Sequence, residues 1–128
     1  MSTSTRLRLA IIAALLAAIS GTVLAGARQY APLAINLQFR YADGGLAETH
    51  NTDDAFSYAE CGSNYGAGFC TVVDTAGTYY GCYTTDPAHI AVIRSMSPDS
   101  LFSIEWDESG VCTYVLSYAS SRAAPRAP

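Results

Sequence analysis

From Leu33 onward polar and apolar residues take turns: Ile35, Leu37, Phe39 and Tyr41 alternate with Asn36, Gln38 and Arg40. A period of two puts the apolar set on one face, so the pattern predicts a half-buried strand that stops at the turn-forming run Asp43-Gly44-Gly45. The next stretch, 46–68, has no clean period. Within it a short helix from Asp53 to Cys61 is expected, with Thr52 as cap, Asp53 and Asp54 at the positive end of its dipole, and Gly62 closing it.

Two later segments share one design. Phe69 to Asp74 and Thr78 to Thr84 flank Thr75-Ala76-Gly77, and Leu101 to Asp107 and Val111 to Ala119 flank Glu108-Ser109-Gly110. Three-residue loops with glycine last match the hairpin that closes with a type I turn and a glycine bulge. In the second hairpin this loop pairs Trp106 with Cys112, Ile104 with Tyr114 and Phe102 with Leu116. All the large apolar groups then fall on one face, and a slip of one residue would scatter them.

Between the hairpins, Asp86-Pro87 reads as a helix cap followed by proline at the first helical position. At 100° per residue, His89, Ile90, Val92, Ile93 and Met96 share one side, and Ser97-Pro98-Asp99 ends the helix. The order strand, helix, hairpin, helix, hairpin predicts an α+β fold. We expect a small single domain over residues 33–120, with an antiparallel sheet of about five strands (two bulged hairpins plus the N-terminal strand) and one or two short helices. Residues 26–32 read as a flexible lead-in and 121–128 as a disordered tail.

The front of the chain changes the setting. Arg6 and Arg8 precede a 17-residue apolar run, Leu9 to Ala25, which exits through the small residues Val23 and Ala25. The run is short for a membrane span and carries the flanks of a signal peptide, so residues 1–25 are expected to be a leader cleaved after Ala25. The remaining chain is then soluble and secreted or periplasmic, and abundant alanine and arginine without lysine resemble a GC-rich bacterial composition. It holds five arginines against eleven carboxylates, a net charge of −6. Nucleic acid and anionic membranes need a clustered basic footprint, and these arginines are scattered.

An oxidising compartment turns the four cysteines into staples. Counting the ladder back from Asp74 and Thr78 makes Cys70 and Cys82 a hydrogen-bonded pair, whose side chains stand further apart. The favoured pairing is therefore Cys61 with Cys70 and Cys82 with Cys112. No Cys-x-x-Cys is present to support redox exchange or a zinc knuckle.

Candidate chemistry is thin. His89 lies mid-stripe at the start of its helix, where burial and the dipole disfavour charge, and it reads more readily as a core-edge residue than as a base. His50, Asp53 and Asp54 place three possible ligands in five residues but lack calcium-loop spacing. No Gly-x-Ser-x-Gly elbow occurs, and Asp107 and Glu108 open a turn rather than face one another. No cofactor or metal is expected.

Aromatic residues are the most suggestive feature left, with nine tyrosines in the chain. Alternation sends Tyr79 and Tyr83 to one face of their strand and Tyr80 to the other, so all three cannot be core. Tyrosine supplies contact area at low entropy cost, and Asn64 and Tyr65 add polar contacts. The expected function is a non-catalytic binding protein that engages a protein or glycan through Tyr79, Tyr83, Tyr65 and Asn64. The alternatives are an inhibitor or immunity-type protein against an extracellular enzyme, its acidic charge steering it to a basic target, and a small hydrolase using His89 or His50.

Overall fold

Both glycine-closed hairpins form as the loops predict. In a computed structural model describing residues 30–120, Asp74 N donates to Thr78 O (3.1 Å) and Asp107 N to Val111 O (3.0 Å). The glycine ending each loop is left-handed, with φ of 79° at Gly77 and 76° at Gly110. Each loop is also tied by its leading aspartate: Asp74 Oδ1 accepts from the N–H groups of Ala76 and Thr78, and Asp107 Oδ1 from those of Ser109 and Val111.

The elements run β1 (Ala34–Asn36), β2 (Tyr41–Gly45), α1 (Leu46–His50), β3 (Tyr58–Asn64), β4 (Ala67–Val73), β5 (Tyr79–Thr84), α2 (Pro87–Ser95), β6 (Leu101–Trp106) and β7 (Cys112–Tyr118). The fold is α+β and largely β. Among the described residues the strands number seven where about five were expected, and they divide into two antiparallel sheets, β1-β2-β6-β7 and β3-β4-β5. Phe102, Ile104 and Val115 from the first sheet meet Cys70, Val72 and Cys82 from the second, with Ile93 of α2 joining the same cluster. The helix begins as expected, Asp86 Oδ1 accepting from Ala88 N at 2.7 Å.

Three local expectations are corrected. The N-terminal strand does not run through to Tyr41: Asn36 Oδ1 accepts from Phe39 N (3.0 Å), Arg40 turns left-handed (φ 52°), and the chain folds back so that Asn36 pairs with Tyr41. Asp43-Gly44-Gly45 is then part of β2, not a turn. A side chain on Gly44 would press on the backbone of Pro32 and Leu33, so glycine serves close approach there.

The helix expected over 53–61 is absent, and the helical turn is α1. Asp54 accepts from the N–H groups of Phe56 and Ser57 as a helix cap would, but no helix follows, because the chain pairs with β4 instead. From Tyr58 the chain is extended, and Cys61 stands opposite Cys70.

In the last hairpin Trp106 does pair with Cys112, but a bulge follows at Glu105/Trp106. Ile104 therefore opposes Val115 rather than Tyr114, and Phe102 opposes Ser117 rather than Leu116. Cys112 must face inward to reach Cys82, and Val115 also faces the core. Positions an odd number apart share a face only if one extra residue intervenes. Tyr114, Leu116 and Tyr118 are consequently turned to solvent.

The disulfides are Cys61–Cys70 and Cys82–Cys112, with Cα separations of 4.1 and 5.0 Å. The second joins the two sheets where Tyr83 N donates to Gly110 O (3.0 Å). The leader and tail lie outside the described residues, as does most of the lead-in. Among the described residues no helix is long and apolar enough to cross a membrane.

Candidate functional site

Registers of β3-β4 and β4-β5 build the outer face of the three-stranded sheet row by row. Tyr58, Val73 and Tyr79 lie abreast; then Glu60, Thr71 and Gly81; then Gly62, Phe69 and Tyr83; then Asn64 with Ala67. Two aromatic rows thus flank a row of one carboxylate, one hydroxyl and one bare backbone. Alternate residues along a strand repeat at roughly 6.8 Å, so the aromatic rows stand roughly 13 Å apart. On the β5 side, between Tyr79 and Tyr83, a shallow depression of about 450 Å³ opens over Thr71 and Gly81 toward Gly110.

Each wall has its own packing. Tyr58 and Tyr79 meet edge to face at 6.1 Å between ring centres, and Val73, between them on this face, is buried. Burial raises the Tyr58 hydroxyl above its ordinary pKa, helped by the hydrogen bond with Tyr79 and by the charge of Glu60. In the other wall, the Phe69 ring lies where a side chain on Gly62 would be, and Tyr83 stands beside it.

The floor requires glycine at position 81. Its φ of 155° is unsuited to other residues, and a Cβ would collide with the carbonyl oxygen of Cys70. No side chain therefore fills the space between Tyr79 and Tyr83, which are 67% and 55% exposed.

Of the residues singled out from sequence, Tyr79 and Tyr83 share this face two rows apart, and Asn64 lies at its far end. Tyr65 sits fully exposed at the β3–β4 tip rather than in the depression. Tyr80 points to the other face, where its hydroxyl donates to Asp74 Oδ2 (3.3 Å). Sequence reasoning missed Tyr58, Glu60, Phe69 and Thr71. The signal was the alternation of Tyr58, Glu60, Gly62 and Asn64 with Ala59, Cys61 and Ser63, a strand pattern overshadowed by the apparent helix cap at Thr52.

The histidines lie on separate elements. His89 Nδ1 is 3.2 Å from the hydroxyl of Thr84, a buried residue whose oxygen also accepts from Asp86 N at the entry to α2. That pairing fixes a helix start and offers no exposed nucleophile. His50 ends α1. Near it, Asp54 is held down to about 2 by the backbone N–H groups of Ser57 and Phe56. Among the described residues no three His, Cys, Asp or Glu side chains gather as metal ligands, and no cysteine is free.

No protein-family model matches the chain, and no curated protein or solved structure matches it.

Proposed function

We propose that this is a non-catalytic secreted or periplasmic binding protein whose outer three-stranded face holds a glycan across the rows of Tyr58/Tyr79 and Phe69/Tyr83. The supporting observation is the glycine-floored depression between two exposed aromatic walls. A sugar ring offers apolar C–H faces to the rings and hydroxyl edges to Glu60 and Thr71, so one ligand satisfies both kinds of surface. A protein partner using the same tyrosines is the competing occupant. The oxidised cysteines support an extracellular or periplasmic setting.

Screening the disulfide-intact protein on an array of bacterial and host glycans, with Tyr79→Ala and Tyr83→Ala alongside, tests this reading. Either substitution is expected to weaken glycan binding by about thirtyfold, the loss typical of a central aromatic anchor, with the fold retained. Binding that survives both substitutions, or no glycan binding at all, sinks the reading.

A further inference from the structure

On the opposite side of this sheet from Gly81, the outer edge of β3 has unused backbone. Counting from the hydrogen-bonded pair Asp74 and Thr78 through both registers, the ladder to β4 is made by Tyr58, Glu60, Gly62 and Asn64. The N–H and C=O groups of Ala59 and Cys61 therefore point away from the sheet, and among the described residues no backbone group takes them up. They face a cleft of about 560 Å³ between α1, β3 and the end of α2, with Leu46, Ile93 and Met96 among its apolar lining. Five consecutive residues, Ser57 to Cys61, form one wall, roughly 16 Å of strand.

A row of outward donors and acceptors at two-residue spacing is the complement of another extended chain, and a cleft of mixed lining beside it, apolar over Leu46, Ile93 and Met96, accepts every second side chain. The sign of the partner follows from charge. The described residues hold eleven carboxylates against two arginines and no lysine. Of the two, Arg40 is engaged with Glu108 at 2.7 Å, and Arg94 Nε donates to Ser63 Oγ at 3.2 Å. Glu60 is the carboxylate that borders the cleft, with His50 also in its lining. A second copy of the chain would bring the same acidic surplus to the edge, so like charge opposes self-pairing.

We propose that the open edge of β3 takes a basic, extended segment of a partner protein as a fourth strand of the three-stranded sheet, its inward side chains filling the cleft over Leu46, Ile93 and Met96. This cleft shares Tyr58 and Glu60 with the outer face but none of Tyr79, Tyr83 or Phe69, so Tyr79→Ala and Tyr83→Ala, which test the glycan reading, leave it intact.

The test is amide NMR on the disulfide-intact protein with a capped nonapeptide alternating arginine and valine, a glutamate–valine counterpart, and two arginine–valine forms N-methylated on one or the other alternate set of amides. The arginine–valine peptide is expected to shift the Ala59 and Cys61 amides and slow their hydrogen exchange. The glutamate peptide should leave them unchanged, and only one of the two methylated forms should still bind.

Ala59→Pro removes an outward donor without touching the ladder, and is expected to weaken binding about two- to tenfold, the worth of one backbone hydrogen bond. Exposed Glu60→Arg should narrow the preference for the arginine–valine peptide over its glutamate counterpart. Equal response to both charges, no response to the arginine–valine peptide, or protection of these amides by dimerisation in the absence of peptide would overturn the proposal.

Discussion

The two sheets contribute differently to the core. The β1-β2-β6-β7 sheet buries Phe102, Ile104 and Val115, together with Leu101 at its end, whereas the β3-β4-β5 sheet turns Tyr58, Phe69, Tyr79 and Tyr83 to solvent and keeps Ala59, Cys61, Cys70 and Val72 inside. One sheet is held by apolar packing. The other brings smaller residues, Val72 and Ala59 with Tyr80 beside them, to the same core, and three of the four cysteines lie in it. The comparison teaches that covalent staples here stand in for buried volume, leaving the second sheet free to put its aromatic residues outside, where a ligand can use them.

Breaking the packed sheet should therefore have the largest effect. Phe102→Ala is expected to cost about 3–5 kcal/mol, a large part of the 5–15 kcal/mol typical of a domain, and denaturant unfolding with the disulfides intact measures it. Removing staples comes next. Replacing both cysteines of the Cys82–Cys112 pair, which spans 30 residues, should cost more than replacing those of Cys61–Cys70, which spans 9. Loop-closure entropy puts the two at roughly 4 and 3 kcal/mol. An equal loss from both would mean that the sheets do not depend on the bridge joining them.

On the outer face of the stapled sheet, Tyr83→Ala should change stability by no more than about 0.5 kcal/mol, as surface substitutions do. Tyr79→Ala should cost slightly more, because the ring covers Val73 and meets Tyr58 edge to face. Thermal melts of the two variants order them. A Tyr83→Ala loss comparable to that of Phe102→Ala would mean this face is core after all.

Acid sharpens the comparison further. Asp54 and Asp74 lie in turns at the same end of the stapled sheet, and backbone N–H groups hold both carboxyls below their ordinary range, Asp54 at about 2. The unfolded chain binds protons first, near pH 4, so the stability these groups supply is present above that value and disappears as pH falls toward 2. Asp54→Asn is expected to flatten the acid limb of the stability curve between those limits. Smallest of all, Tyr79→Phe should bring the raised Tyr58 titration back toward its ordinary value, read by ultraviolet absorbance at alkaline pH.

How much of this was legible depended on the distance between the residues concerned. The loops at Gly77 and Gly110, the start of α2 at Asp86-Pro87 and the exclusion of a Cys70–Cys82 bridge all follow from residues a few positions apart, or from ladder alternation counted out from a loop. Tyr79 and Tyr83 were legible as a face for the same reason. Their neighbours Tyr58 and Phe69 were not, because they join that face only once β3 is known to be a strand. The capping residues at Thr52 and Asp53 pointed to a helix instead.

From its sequence alone, then, the chain determined the two glycine-closed hairpin loops and the helix between them, since hydrogen bonds and backbone preferences within short segments suffice for each; the order of these elements gave the α+β class, and ladder alternation disfavoured Cys70 with Cys82 without choosing between the two remaining pairings. Tertiary structure alone decided that β1 folds back at Asn36, that the strands divide into two sheets, and that β7 bulges between Cys112 and Val115. An alternating stretch is equally content as one strand or two, and only the available edge of β6, the reach of Cys112 to Cys82 and the need to bury Val115 select the arrangement.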